Sequence, residues 1–145
     1  METKKLRGVC LFGAFDPRYP RNSVIRLGLE RIGVPVFTCR TGTKRKVSTR
    51  YPVLLARYLR MEKHFDVVLV PEFRHKDVPL AAWLSRATGK LCVFDPLVSR
   101  YDTKIHDRGD AADKTFQAWH NRNIDRWSMS LADLVLADTS AHAEY

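Results

Sequence analysis

Three short apolar runs constrain this chain more than anything else in it. Val9-Cys10-Leu11-Phe12, Val67-Val68-Leu69-Val70 and Leu91-Cys92-Val93-Phe94 are each continuously apolar and each stops abruptly, at Gly13, Pro71 and Asp95. A strand with one wet face alternates polar and apolar residues; a run without alternation needs cover on both faces. With their flanks, the runs predict strands over Leu6–Gly13, Phe65–Val70 and Leu91–Phe94. Weaker signals add strands over Val34–Thr38 and Asp133–Ala137. Between them lie stretches of helical period. One spans Val24–Ile32, with Asn22 or Ser23 as cap and Gly33 as terminator. One starts near Pro52, a residue suited to a first turn, and runs to His64. One is capped by Asp77 and ends at Gly89, and a polar segment over 110–130 carries the last. Such alternation predicts an α/β fold, a Rossmann-like doubly wound parallel sheet with helices on both faces. The 145 residues fit one domain, 1–145. The closing strand leads into another helix start at Asp138-Thr139-Ser140, which suggests one part of a larger architecture.

Apolar residues make up 45% of the chain, enough for a globular core. No apolar run nears the roughly 18 residues that cross a bilayer, and the first residues carry no signal-peptide pattern. The three cysteines all lie in or at the end of apolar runs and have no C-x-x-C or Cys/His spacing. They read as buried reduced thiols of a cytoplasmic protein, and no metal is implied. Formal charge is +9, and its placement matters more than its size. Between Arg40 and Lys63 there are eight basic residues and one acidic residue, Glu62, so most of the excess sits in one window. That implies an anionic partner surface: membrane, nucleic acid or phosphorylated ligand.

In open α/β sheets, ligands bind outside the carboxyl ends of the strands. The candidates are therefore the residues just past each run. Asp95 ends the fourth strand and, with Ser99, Arg100 and Tyr101, is expected to enter that crevice; otherwise Asp95 simply caps a turn before Pro96. Glu72 and Arg74 follow the third strand, as acceptor contacts or as a helix-entry loop. Asp16, Arg18, Arg21 and Asn22 follow the first, where arginines suit phosphate oxygens or are merely solvated. His64 and His75 lack metal-ligand neighbours and read as structural or surface residues. Trp119 and Trp127, eight apart, are expected to pack in the core, with His120 partly buried beside them.

Several common motifs are missing. No G-x-G-x-x-G follows the first strand, no P-loop surrounds Gly89-Lys90, and no G-x-S-x-G elbow occurs. The acid cluster and fifth-strand lysine of a response-regulator receiver are also lacking.

The order of segments resembles the N-terminal, acceptor-side half of a GT-B glycosyltransferase of glycosyltransferase family 4. Four pieces carry the likeness: Phe12 to Asp16 with the helix ending Gly28-Leu29-Glu30-Arg31-Ile32-Gly33; Phe65-Asp66-Val67-Val68-Leu69-Val70; Lys90-Leu91-Cys92-Val93-Phe94-Asp95; and Ala132-Asp133-Leu134-Val135-Leu136-Ala137-Asp138-Thr139. The resemblance implies a retaining transfer from a nucleotide-sugar, used as substrate and not as cofactor, to a sugar or lipid-linked acceptor. It implies that the donor is held mainly by a C-terminal domain absent from these residues, so the chain alone is expected to be inactive. Two positions depart from the family. Asp16-Pro17-Arg18-Tyr19-Pro20-Arg21 stands where a Gly-Gly pair is common, and Asp95 stands where many relatives have a histidine. Asp95 is the expected catalytic residue, stabilising charge or accepting sugar hydroxyls.

The basic window is expected to meet an anionic membrane through Lys44, Arg45, Lys46 and Arg50, giving a peripheral protein on the inner face of the membrane. A helix from Arg50 would put Tyr51, Leu54, Leu55, Tyr58, Leu59 and Met61 on one side and Arg50, Arg57, Arg60 and Lys63 on the other; an ordinary sheet-covering helix fits the same pattern. Alternative functions are the non-catalytic subunit of a split transferase and a nucleic-acid-binding module. The latter is disfavoured, because the basic residues are not interleaved with aromatics across a sheet.

Overall fold

The computed structural model describes residues 5–97 and 116–137. Five strands form one all-parallel sheet: β1 (Val9–Gly13), β2 (Val36–Arg40), β3 (Val67–Val70), β4 (Leu91–Phe94) and β5 (Leu134–Val135). Their order is β2-β1-β3-β4-β5. Four helices connect or follow them: α1 (Pro20–Arg31), α2 (Val47–Met61), α3 (Val78–Ala87) and α4 (Phe116–Leu131). The fold is thus the α/β, Rossmann-like doubly wound sheet that the apolar runs predict. Crossovers between parallel strands are right-handed. The step from β1 to β2 runs one way along the sheet and every later step runs the other way. So α1 lies on one face, and α2, α3 and α4 lie on the opposite face.

The two faces are covered unequally. On the three-helix side, Phe12, Cys39, Leu54, Tyr58, Phe65, Val68, Val70, Ala81, Leu84 and Phe94 form the larger core. The α1 side is thinner: Val9, Leu11, Phe15, Leu69 and Val93 are buried beneath Ile25 and Leu29. Both sides of β1 are buried throughout, as its unbroken apolar pattern requires.

Several local expectations are corrected. Helix α1 starts at Pro20, with Tyr19 in the cap position, so neither Asn22 nor Ser23 caps it. Proline is suited to a first turn because its missing N–H would be unsatisfied there anyway. Helix α2 starts five residues before Pro52, which leaves that proline inside the helix. Asp77 does occupy the cap position of α3, but its side chain makes no capping bond. Trp119 and Trp127 are exposed, not packed in the core, and His120 is exposed beside Trp119. The eight-residue spacing does place both tryptophans on one side of α4; the side that packs inward carries Asp125, Ser128 and Met129 instead. His75 is fully buried, edge-on to Phe94 and 3.1 Å from Asp125 through Nε2. Cys10, Cys39 and Cys92 are buried free thiols, as expected.

Candidate functional site

The strand order reverses between β1 and β3, and their carboxyl ends splay the following loops apart. The residues past β1, β3 and β4 converge there. Asp95 takes two hydrogen bonds from Arg21, Nε to Oδ2 at 2.6 Å and Nη2 to Oδ1 at 2.8 Å. This is the paired, planar geometry that guanidinium and carboxylate favour. Asn22, from the next position on α1, turns inward. Its amide nitrogen donates to the carbonyl of Asp16 at 2.8 Å and to Glu72 Oε1 at 3.0 Å. Asp16 itself accepts from the backbone N–H of Arg18 at 3.0 Å, a local turn that leads the chain into Pro20. Of the residues expected at this site, Asp16, Arg21, Asn22, Glu72 and Asp95 are therefore brought into one network.

Glu72 is 4% exposed, and Oε2 has no hydrogen-bond partner among the described residues. Burial pushes its carboxyl above the ordinary glutamate range. The Asp95 charge adds to that, while the Asn22 hydrogen bond and the Arg74 charge oppose it. An acceptor atom is thus held in place and left unfilled, in a residue poised to take up a proton more readily than a solvated glutamate.

Aromatic rings stand at the mouth of the same network. Phe73 lies between Glu72 and Arg74 with φ of 58°, a left-handed conformation costly for a large side chain. Leu97, just past β4, has φ of 64°. Among the described residues these are the two non-glycine positions with positive φ, and both lie in loops at the carboxyl edge. The strained turn leaves the Phe73 ring 39% exposed, edge-on to Tyr19 at 6.1 Å between centroids. The chain's sequence offered no periodic signal for Tyr19. Its position beside Pro20 at the entry to α1 was the available hint.

Some expected residues behave differently. Asp95 has no exposed surface, and Arg21 takes both its oxygens, so it does not present a carboxylate to the crevice. A buried carboxylate without a partner would be strongly disfavoured, and Arg21 resolves that locally. Arg18 is exposed and donates through its backbone. Ser99, Arg100 and Tyr101 lie outside the described residues. Arg50 is not membrane-facing: it is 7% exposed and clamped to Asp77, with Nε to Oδ1 at 2.7 Å. Asp77 Oδ2 also accepts from the Ala14 N–H at 3.0 Å. Gly13 has φ of 129°, and a Cβ there would meet Asp77 Oδ2 at 2.9 Å, so only glycine fits this approach. Lys44, Arg45 and Lys46 are exposed as expected.

Among the described residues no group of three or more His, Cys, Asp or Glu is placed to hold a metal ion, and no helix is long and apolar enough to cross a membrane. In comparisons with known proteins, no family model, no curated protein and no solved structure matches this chain.

Proposed function

We propose that the chain is the acceptor-binding half of a retaining glycosyltransferase, with the carboxyl edge between β1, β3 and β4 receiving a hydroxyl-rich acceptor. The observation that supports a saccharide is the pairing of the Tyr19–Phe73 rings with the unfilled Glu72 acceptor. Sugar sites combine an apolar wall with a few fixed polar groups that select orientation. Here the rings would take a C–H face of the sugar, and Glu72 and Arg74 would meet its hydroxyls. Asn22 holds Glu72 in position, and Asp95 holds Arg21. In this proposal Asp95 is a positioning residue that acts through Arg21. The transfer chemistry rests on the sequence resemblance: a nucleotide-sugar donor carried by a second α/β domain. Lys44, Arg45 and Lys46 would hold the acceptor half against an anionic membrane when the acceptor is lipid-linked, each contributing about 1 kcal/mol near such a surface.

The test is an NMR titration of this chain with simple methyl glycosides and, separately, with nucleotide-sugars. Glycosides should shift the amides of Asn22, Glu72, Phe73 and Arg74, and Glu72→Ala or Phe73→Ala should weaken binding roughly tenfold, the scale of one well-placed buried contact. Nucleotide-sugars alone should leave those amides in place. Shifts by the nucleotide-sugar and none by any glycoside would reverse the assignment of donor and acceptor sides.

A further inference from the structure

A second cleft opens on the same sheet edge, at the end of β2. It has a volume of about 210 Å³ and is lined by Arg40, Thr41, Gly42, Arg45, Val53 and Arg57. Three of its six lining residues are arginines and none is acidic. Three other arginines are matched to carboxylates: Arg7 to Asp66, Arg21 to Asp95, Arg50 to Asp77. Arg40, Arg45 and Arg57 form no ion pair among the described residues.

Two of the three are instead held by neutral backbone. Arg57 Nη1 donates to the carbonyl of Arg40, and Arg40 Nη1 reaches the carbonyl of Phe15 at 3.4 Å. Carbonyl oxygens position a guanidinium without cancelling its charge. The loop that carries Arg45 is anchored in turn: its carbonyl accepts from Arg50 Nη1 at 3.0 Å, and Arg50 is fixed on buried Asp77. The Thr41 N–H donates to Gly13 at 3.3 Å, which ties the cleft floor to β1. Like charges gathered in one concavity repel, so the fold holds them there at a cost.

Thr41 provides an independent sign. It is 5% exposed, it lines the cleft, and its hydroxyl has no hydrogen-bond partner among the described residues. Buried hydroxyls are almost always bonded, so this one is a polar group on a cleft-lining residue that still lacks a partner among the described residues. Guanidinium forks match phosphate oxygens in pairs, and a doubly charged group answers several cations at once.

We propose that this cleft binds a phosphate monoester, through Arg40, Arg45, Arg57 and the Thr41 hydroxyl. The cleft shares no lining residue with the Glu72 network, and the proposal stands whether or not that network binds sugar. The phosphate could belong to a small metabolite or to a lipid headgroup, and both carry the same chemistry.

The probe is glycerol 3-phosphate, titrated into the chain at fixed ionic strength and followed by amide shifts over residues 40–57. Binding should saturate and should be displaced by inorganic phosphate but not by chloride. Arg45→Gln and Arg57→Gln should each weaken it at least about fivefold, the scale of one charge-assisted pair. Thr41→Val should weaken it about threefold. Arg60→Gln removes the same charge from the same helix outside the cleft and should leave affinity unchanged. Vesicles decide the source: stronger adsorption to phosphatidic acid than to phosphatidylserine, lost in Arg57→Gln, marks a headgroup, and equal adsorption marks a soluble phosphate. If Arg57→Gln does not fold, Arg45→Gln, on an exposed loop, decides. Failure of glycerol 3-phosphate to saturate, or equal weakening by Arg60→Gln and Arg45→Gln, overturns the site and leaves only diffuse positive charge.

Discussion

The two ends of one sheet edge treat charge in opposite ways. Past β3 and β4, acids and bases are interleaved and answer one another: Arg21 covers Asp95, Asn22 binds Glu72, and Arg74 lowers the charge penalty on Glu72. Past β2, three arginines line an open cleft, and two of them are steadied by carbonyls. A closed network is rigid and leaves little charge uncancelled, with Glu72 Oε2 still without a partner among the described residues. An uncancelled cluster stores unfavourable repulsion that an anion would relieve. The contrast teaches that the +9 excess is not spread as a generic basic coat; much of the window that carries it sits at one end of the sheet's carboxyl edge.

The largest expected effect strikes the joint between these ends. Asp77 holds both the β1 loop, through Ala14, and α2, through Arg50. Asp77→Ala strands a buried guanidinium, and losing one member of a buried pair costs about 3–5 kcal/mol. Urea unfolding should show that loss as a lower midpoint at constant slope. It should also loosen the Arg45 loop and weaken phosphate binding. A loss under 1 kcal/mol would mean that the two ends are not mechanically joined.

Next comes the closed end alone. Arg21→Ala should cost roughly 2–3 kcal/mol, less than a fully buried pair because the arginine is partly solvated. Adding Asp95→Asn should recover part of it, since the stranded charge is then gone. A double-mutant cycle with no coupling would show that Arg21 and Asp95 do not depend on each other in solution.

Glu72 gives a smaller, pH-dependent signature. Its folded-state pKa lies above the unfolded value, because burial disfavours the charge. Any stabilisation this group contributes is fully present below the unfolded pKa and is lost as pH rises through the folded one. Glu72→Gln does not titrate, so the stability difference should move in favour of the variant as pH rises from the ordinary glutamate range upward. A difference that stays flat from pH 4 to about 8 would place the carboxyl in a solvated setting and remove the reason for calling this end closed.

The smallest effect belongs to the exposed loop of the open end. Changing Lys44, Arg45 and Lys46 together to Ser should alter stability by no more than about 0.5 kcal/mol per site, the usual range for surface changes. It should nevertheless reduce adsorption to anionic vesicles, and the remaining adsorption should depend less on salt. A large stability loss would show that the loop charges support the fold and are not held in reserve for a partner.

Local pattern was enough to read the architecture. Continuous apolar runs demand cover on both faces, and right-handed crossovers then leave few ways to wind a parallel sheet. Hence the strands and the fold class could be read directly from the chain, and so could the loops past the strand ends where the candidate residues meet. The residues that meet there were legible as candidates, because Asp16, Arg21, Asn22, Glu72 and Asp95 all follow or approach strand ends. Their roles were not. Whether Asp95 faces solvent depends on Arg21, 74 positions away, and whether Arg50 is exposed depends on Asp77, 27 positions away. A helical wheel put Arg50 on the charged side of α2, and no local pattern could reveal that a buried acid waits at the start of α3. The same holds for Trp119 and Trp127: spacing puts two residues on one side of a helix, but the packing of neighbours decides which side turns inward. Pairing across the sheet edge is a long-range electrostatic choice, made only when distant loops meet, and tertiary structure alone assigned which charges are cancelled and which stay open.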